Sequence, residues 1–193
     1  MRRIVNSVRL NFFAGSAGIF PAFLFAGSAG ILPALLMEVE MKCYYTTEDE
    51  IRTLVESFEA CSFDPADFRH YQHLTVALWY VWHLPLAEAA EKITTGIRRL
   101  AETYGRTGYH ETITLFWLRI VAAFVTEHAD LPLPTLANAL IDNCCDKDFI
   151  GRYYSADLIT SPRAKAEWVE PDLQTLPEIA EHYVESRSGT GSI

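Results

Sequence analysis

Three histidines and one glutamate carry most of the chemistry that this chain's side chains offer. His70 and His73 stand at i and i+3 in Phe68-Arg69-His70-Tyr71-Gln72-His73-Leu74, a spacing that puts both imidazoles on one face of a helix. His110 and Glu111 follow Tyr109 at the head of a second apolar run. Three N/O ligands with a fourth position left open describe a catalytic zinc or related site. His70, His73 and His110 are therefore the candidate metal ligands, for a divalent ion such as zinc. Without a metal, His110 and Glu111 are the candidate catalytic pair of a hydrolase- or lyase-type reaction. Helix N-terminal amides beside them favour an anion and lower a histidine's pKa. Arg69, Tyr109 and Thr114 are the candidate ligand-binding residues, a guanidinium for an anionic group and two hydroxyl donors. The histidines and Glu111 also have a plain structural reading. The pair lacks the intervening glutamate of H-E-x-x-H zinc enzymes, His73 suits a core histidine bonded to a carbonyl, and an acidic first turn is favoured anyway.

The elements that must position these groups are helical. Thr47-Glu48-Asp49-Glu50 is a capping box, followed by Ile51, Leu54, Val55 and Phe58 at helical spacing over about 48–60. Asp64-Pro65 reads as an N-cap with proline in the first turn, opening a second helix that ends near Leu84. A third helix runs from Pro85 to Tyr104, with Leu86, Ala89, Ala90, Ile93, Ile97, Leu100 and Tyr104 inward and Gly105 as its left-handed cap. The fourth, about 109–127, is apolar nearly all round, the mark of a central helix. Leu133-Pro134-Thr135 opens a fifth, Asp146-Lys147-Asp148 a short sixth, and Ser161-Pro162 caps a seventh through about Val169. No stretch alternates convincingly as a strand, and no glycine-rich phosphate loop appears. The chain reads as all-α, a single bundle of five to seven helices over residues 41–175. Residues 176–193 form a short helix near 178–185 and a polar tail.

Short connections make consecutive helices antiparallel neighbours, so helices two and four run the same way. With His70 about five residues into its helix and His110 about one, the axial offset is roughly 6 Å. Side chains of this length converge across such a gap. Trp79, Tyr80, Trp82, Phe116 and Trp117 form an aromatic-rich centre, read first as core and second as the floor of a pocket. His83 suits a helix C-terminus, and His128 and His182 read as surface residues.

Residues 1–40 stand apart. The phrase at 13–24 recurs at 25–36, changed only at Phe20/Leu32 and Phe23/Leu35. Twelve helical residues turn by about 1200°, so the copies face directions about 120° apart and no packing requirement explains their identity. The favoured reading is translated upstream repeat, outside the fold, with Met37 and Met41 as alternative starts. The other is a signal or membrane anchor through residues 1–36, since Leu10–Met37 carries no charge and Arg2, Arg3 and Arg9 precede it.

The whole chain has 16 Lys+Arg against 25 Asp+Glu, a net charge of −9. Setting aside residues 1–40 removes three arginines and two glutamates, which leaves −10 over 153 residues. An acidic balance argues against a nucleic-acid partner, and the length suits one domain. Cys43, Cys61, Cys144 and Cys145 form no C-x-x-C pair and read as free thiols in a reducing cytoplasm.

The stretches FRHYQHLTVALWY, YHETITLFWL and YYSADLITSPRAKAEWVEPDL resemble a family of small bacterial helical proteins with no established activity. The resemblance covers roughly residues 63–173, implies an all-helical domain and transfers no catalytic residue. Two functions follow from the sequence as a whole. One is a small cytoplasmic protein with a His/Glu site for a metal or a small-molecule ligand at one end of the bundle. The other is a non-catalytic interaction module or accessory subunit.

Overall fold

In a computed structural model of the chain, the described residues are 43–64, 66–144 and 146–179, and among them seven α-helices and one 3-10 turn form an all-α bundle. The repeat at 1–40 and residues 180–193 lie outside the described residues, as does His182. Glu178 and Ile179 are not helical, and the rest of the short helix expected near 178–185 also lies outside.

Helix α1 spans Glu48–Ala60 and starts on the capping box: the Thr47 hydroxyl accepts from Glu50 N at 3.3 Å, and the Glu50 carboxylate accepts from Thr47 N at 3.0 Å. It ends at Cys61, a non-glycine residue in the left-handed region with φ 50°. Helix α2 spans His70–His83, starting later than Asp64-Pro65 implied. Asp64 caps a turn instead, its carboxylate accepting from Ala66 N at 2.8 Å and its carbonyl from Asp67 N at 2.9 Å. The chain then buries Phe68 between the rings of Phe58 and Phe63, at 5.7 and 4.3 Å between centroids. Only after that anchor does the helix begin, with Gln72 Oε1 accepting from the Arg69 N–H at 2.6 Å. His70 is thus the first helical residue, not the sixth.

Helix α3 spans Leu86–Thr103, and Gly105 follows with φ 61°, where a side chain would be strained. The Tyr104 hydroxyl lies 2.7 Å from the Cys61 carbonyl and 2.6 Å from that of Phe63, shares its hydrogen between them, and ties the end of α3 to the α1–α2 connection. Gly96 lets α3 approach α1 closely, since a Cβ there would run into the ring of the fully buried Phe58.

Helix α4 spans Glu111–Glu127 and touches α2, α3 and α5, the central position its apolar circumference implied. Its most extensive packing is with α2. Helix α5 spans Leu133–Cys144 and a 3-10 turn covers Lys147–Arg152. Ser155 caps α6 (Ala156–Ile159) and Ser161 caps α7 (Pro162–Ala166), each hydroxyl accepting a backbone N–H three residues on. Helix α7 packs on α4 and stops at Ala166, short of Val169. Among the described residues, no helix is long and apolar enough to cross a membrane.

Candidate functional site

The N-terminal halves of α2 and α4 face each other across a cavity of about 250 Å³, walled on a third side by Ile93 and Ile97 of α3. His70 and His73 line it from α2, and Tyr109, His110, Thr114 and Trp117 from α4 and the residues before it. The meeting of the two helix starts follows from the antiparallel hairpins α2–α3 and α3–α4. What the side chains do there differs residue by residue.

His110 is committed to structure. As the N-cap of α4 its Nδ1 accepts from Ile113 N at 3.3 Å, so Nε2 carries the proton and donates to the Ile159 carbonyl at 2.9 Å. Neither nitrogen has a lone pair left for a metal or a substrate proton, which corrects both roles expected of it. Glu111 does not line the cavity. Its carboxylate accepts from Arg98 Nη2 at 2.7 Å and from the Tyr109 hydroxyl at 2.6 Å, so it anchors an ion pair beside the cavity and not on its wall. Arg98 also lies over the Tyr109 ring, 4.6 Å from its centroid. Burial first, then the bond to Glu111, pushes the Tyr109 phenol up to about 12. Thr114 lines the cavity, but its hydroxyl hydrogen goes to the His110 carbonyl at 2.9 Å. Arg69 is exposed at the start of α2 and is not on the cavity wall.

His70 and His73 are the lining imidazoles whose nitrogens are not both committed. The His70 ring packs edge-on to Trp117, with centroids 4.5 Å apart. Burial lowers its pKa, opposed by a hydrogen bond with the Cys144 backbone and by the charge of Asp146. A bond that favours the charged imidazole is one that the ring donates, here to a carbonyl at the open C-terminal end of α5. The other nitrogen, Nε2, is buried with no hydrogen-bond partner. His73 stands edge-on to Phe68 at 4.3 Å. Burial, and secondarily the neighbouring His70, takes its pKa down to about 4, so it is neutral at physiological pH. It does not bond a carbonyl in the manner expected of a core histidine.

The donor set expected for a divalent metal does not assemble. With His110 spent and Glu111 held by Arg98, two imidazoles remain, and no group of three His, Cys, Asp or Glu that could hold an ion occurs among the described residues. Of the expected aromatic centre, Trp117 alone lines the cavity. Phe116 is fully buried against Tyr153 and Tyr154, Tyr80 turns away to donate to Glu59 at 3.0 Å, and Trp79 packs on His83. His83 Nδ1 lies 2.9 Å from the Trp79 carbonyl in the last turn of α2. His128, expected at the surface, is buried at the end of α4 against Phe124 and its carbonyl.

Sequence reasoning missed that α3 supplies a wall of the cavity and that His70 meets the Cys144 backbone, which belongs to an element far along the chain. The regular apolar stripe of α3 marked Ile93 and Ile97 as inward-facing without saying what they faced. No protein-family model, curated protein or solved structure matches the chain.

Proposed function

We propose that this protein binds a small, neutral, largely apolar molecule in the cavity between the N-terminal halves of α2 and α4. The observation that carries the reading is the lining itself: mostly apolar side chains, three imidazoles, the hydroxyls of Tyr109 and Thr114 already bonded within the protein, and no lysine, arginine, aspartate or glutamate. A charged ligand would lose its hydration there without gaining a counter-charge. A volume of about 250 Å³ falls below the ~300–1,000 Å³ typical of drug-sized sites, which fits a ligand of one or two rings. The free thiols of Cys43 and Cys61 support a reducing cytoplasm as the setting.

The test is a methyl-resolved NMR titration of the full chain with indole as probe. Saturable shifts are expected at Ile93, Ile97, Ile113 and Leu118, and Ile97→Trp, which fills the cavity, is expected to abolish them while far-ultraviolet dichroism stays helical. Absence of saturation at those methyls into the millimolar range overturns the reading.

A further inference from the structure

A second cavity lies outside the site described above, a solvent-facing groove of about 570 Å³ between α1, α2 and α3. We infer that this groove binds a zwitterion of net positive charge, the class to which the basic amino acids lysine, ornithine and arginine belong. The inference does not depend on the apolar cavity, whose α3 wall is the separate stripe of Ile93 and Ile97.

The groove carries both signs of charge. Glu88, Glu91, Lys92 and Arg99 line it from α3, and Glu59 of α1 adds a third carboxylate. All five are exposed, and none of them forms an ion pair among the described residues. Glu88 and Lys92 stand at i and i+4 with the glutamate first, the order that favours a pair along a helix, yet they do not meet. Elsewhere exposed arginines do pair, as Arg52 does with Asp49, Arg98 with Glu111 and Arg163 with Glu167. The charges of the groove are therefore left for a ligand. Lys92 and Arg99 are two turns apart on one stripe, with Thr95 between them, about 5 Å along the axis from either. A carboxylate seated over Thr95 has one long cationic side chain on each side. At the floor, the buried Tyr80 gives its hydroxyl hydrogen to Oε1 of Glu59 at 3.0 Å, which leaves Oε2 for an ammonium beside that carboxylate. Glu91 lies about 6 Å along the axis from Thr95, with Glu88 a turn beyond, so a second ammonium on a side chain of four carbons reaches them. Three carboxylates against two cations give the lining a charge of −1, which a basic amino acid at +1 complements.

Three probes separate the poles: L-lysine, norleucine and cadaverine, each titrated into the full chain and followed by backbone-amide NMR. Norleucine lacks the distal ammonium, and cadaverine lacks the carboxylate. An ionic strength of about 0.15 M screens the long-range pull of an acidic protein on any cation. Lysine is expected to give saturable shifts at residues 88–99 and at Glu59, and to bind about fivefold more tightly than either analogue. Lys92→Gln is expected to remove the preference over cadaverine, and Glu91→Gln the preference over norleucine. Both positions are exposed, so the helical fold is expected to survive each change. Equal binding of lysine and either analogue overturns the inference, as does absence of saturation at those amides into the millimolar range. A preference for lysine that survives both substitutions places its binding elsewhere and overturns the inference as well.

Discussion

Burial among its neighbours keeps the His73 side chain uncharged. Its ordinary pKa of 6.5 falls to about 4 in the folded protein because burial penalises the imidazolium. Above pH 6.5 neither the folded nor the unfolded chain protonates it, and the shift has no effect on stability. Between 6.5 and 4 the unfolded chain takes up a proton that the native state refuses, so stability falls as the pH falls. Below 4 both states are protonated and the loss levels off, at up to about 3 kcal/mol. His70 is shifted in the same direction and steepens the same window. Urea unfolding of His73→Phe is expected to depend less on pH between 7.5 and 4.5 than unfolding of the wild-type protein. Parallel slopes would contradict the assignment. The pairing of the two imidazoles was legible in their i, i+3 spacing. The loss of His110 as a ligand was not, since its acceptor at Ile159 lies 49 residues away.

At the scale of elements, the site depends on where α2 and α4 begin. The start of α4 is held twice by one side chain, through Ile113 N and the Ile159 carbonyl. His110→Ala removes the cap and leaves the half-buried Ile159 carbonyl short of its partner, for an expected cost of about 1–2 kcal/mol in urea unfolding. His110→Asn, which can still accept from a first-turn amide, is expected to recover about half of it. The start of α2 shows why a local signature can mislead. Asp64-Pro65 has the composition of a helix cap, yet an aspartate that bonds the amide two residues on serves a turn equally well. Burial of Phe68 between Phe58 and Phe63 decides between them. That choice moves His70 from the second turn of a helix to its first residue, next to the end of α5.

For the molecule as a whole, the last described segment is strapped across the bundle by buried polar contacts. The Thr112 hydroxyl, fully buried, donates to the Glu167 carbonyl at 2.7 Å and accepts from Val169 N at 3.2 Å. Tyr154 adds a hydroxyl bond to the Val169 carbonyl at 2.8 Å, and Leu173 N one to the Tyr153 carbonyl at 2.9 Å. Thr112→Val keeps the volume and strands two backbone groups, so a loss of about 2 kcal/mol is expected. Hydrogen exchange should locate it, with protection falling at residues 167–173 and holding in α1 and α3. Uniform loss of protection would mean that the strap and the bundle unfold as one. The all-helical class, the central rank of α4 and the inward stripe of α3 all followed from the sequence, because helical periodicity is a local property and burial follows it. Which polar atoms stay free did not follow. Hydrogen-bond partners such as Ile159, Arg98 and the Cys144 backbone arrive from other elements, and only the assembled bundle sets who reaches whom. A set of three imidazoles and a carboxylate that looked like one site thereby divides into a cap, an ion pair and two neutral rings on an apolar cavity.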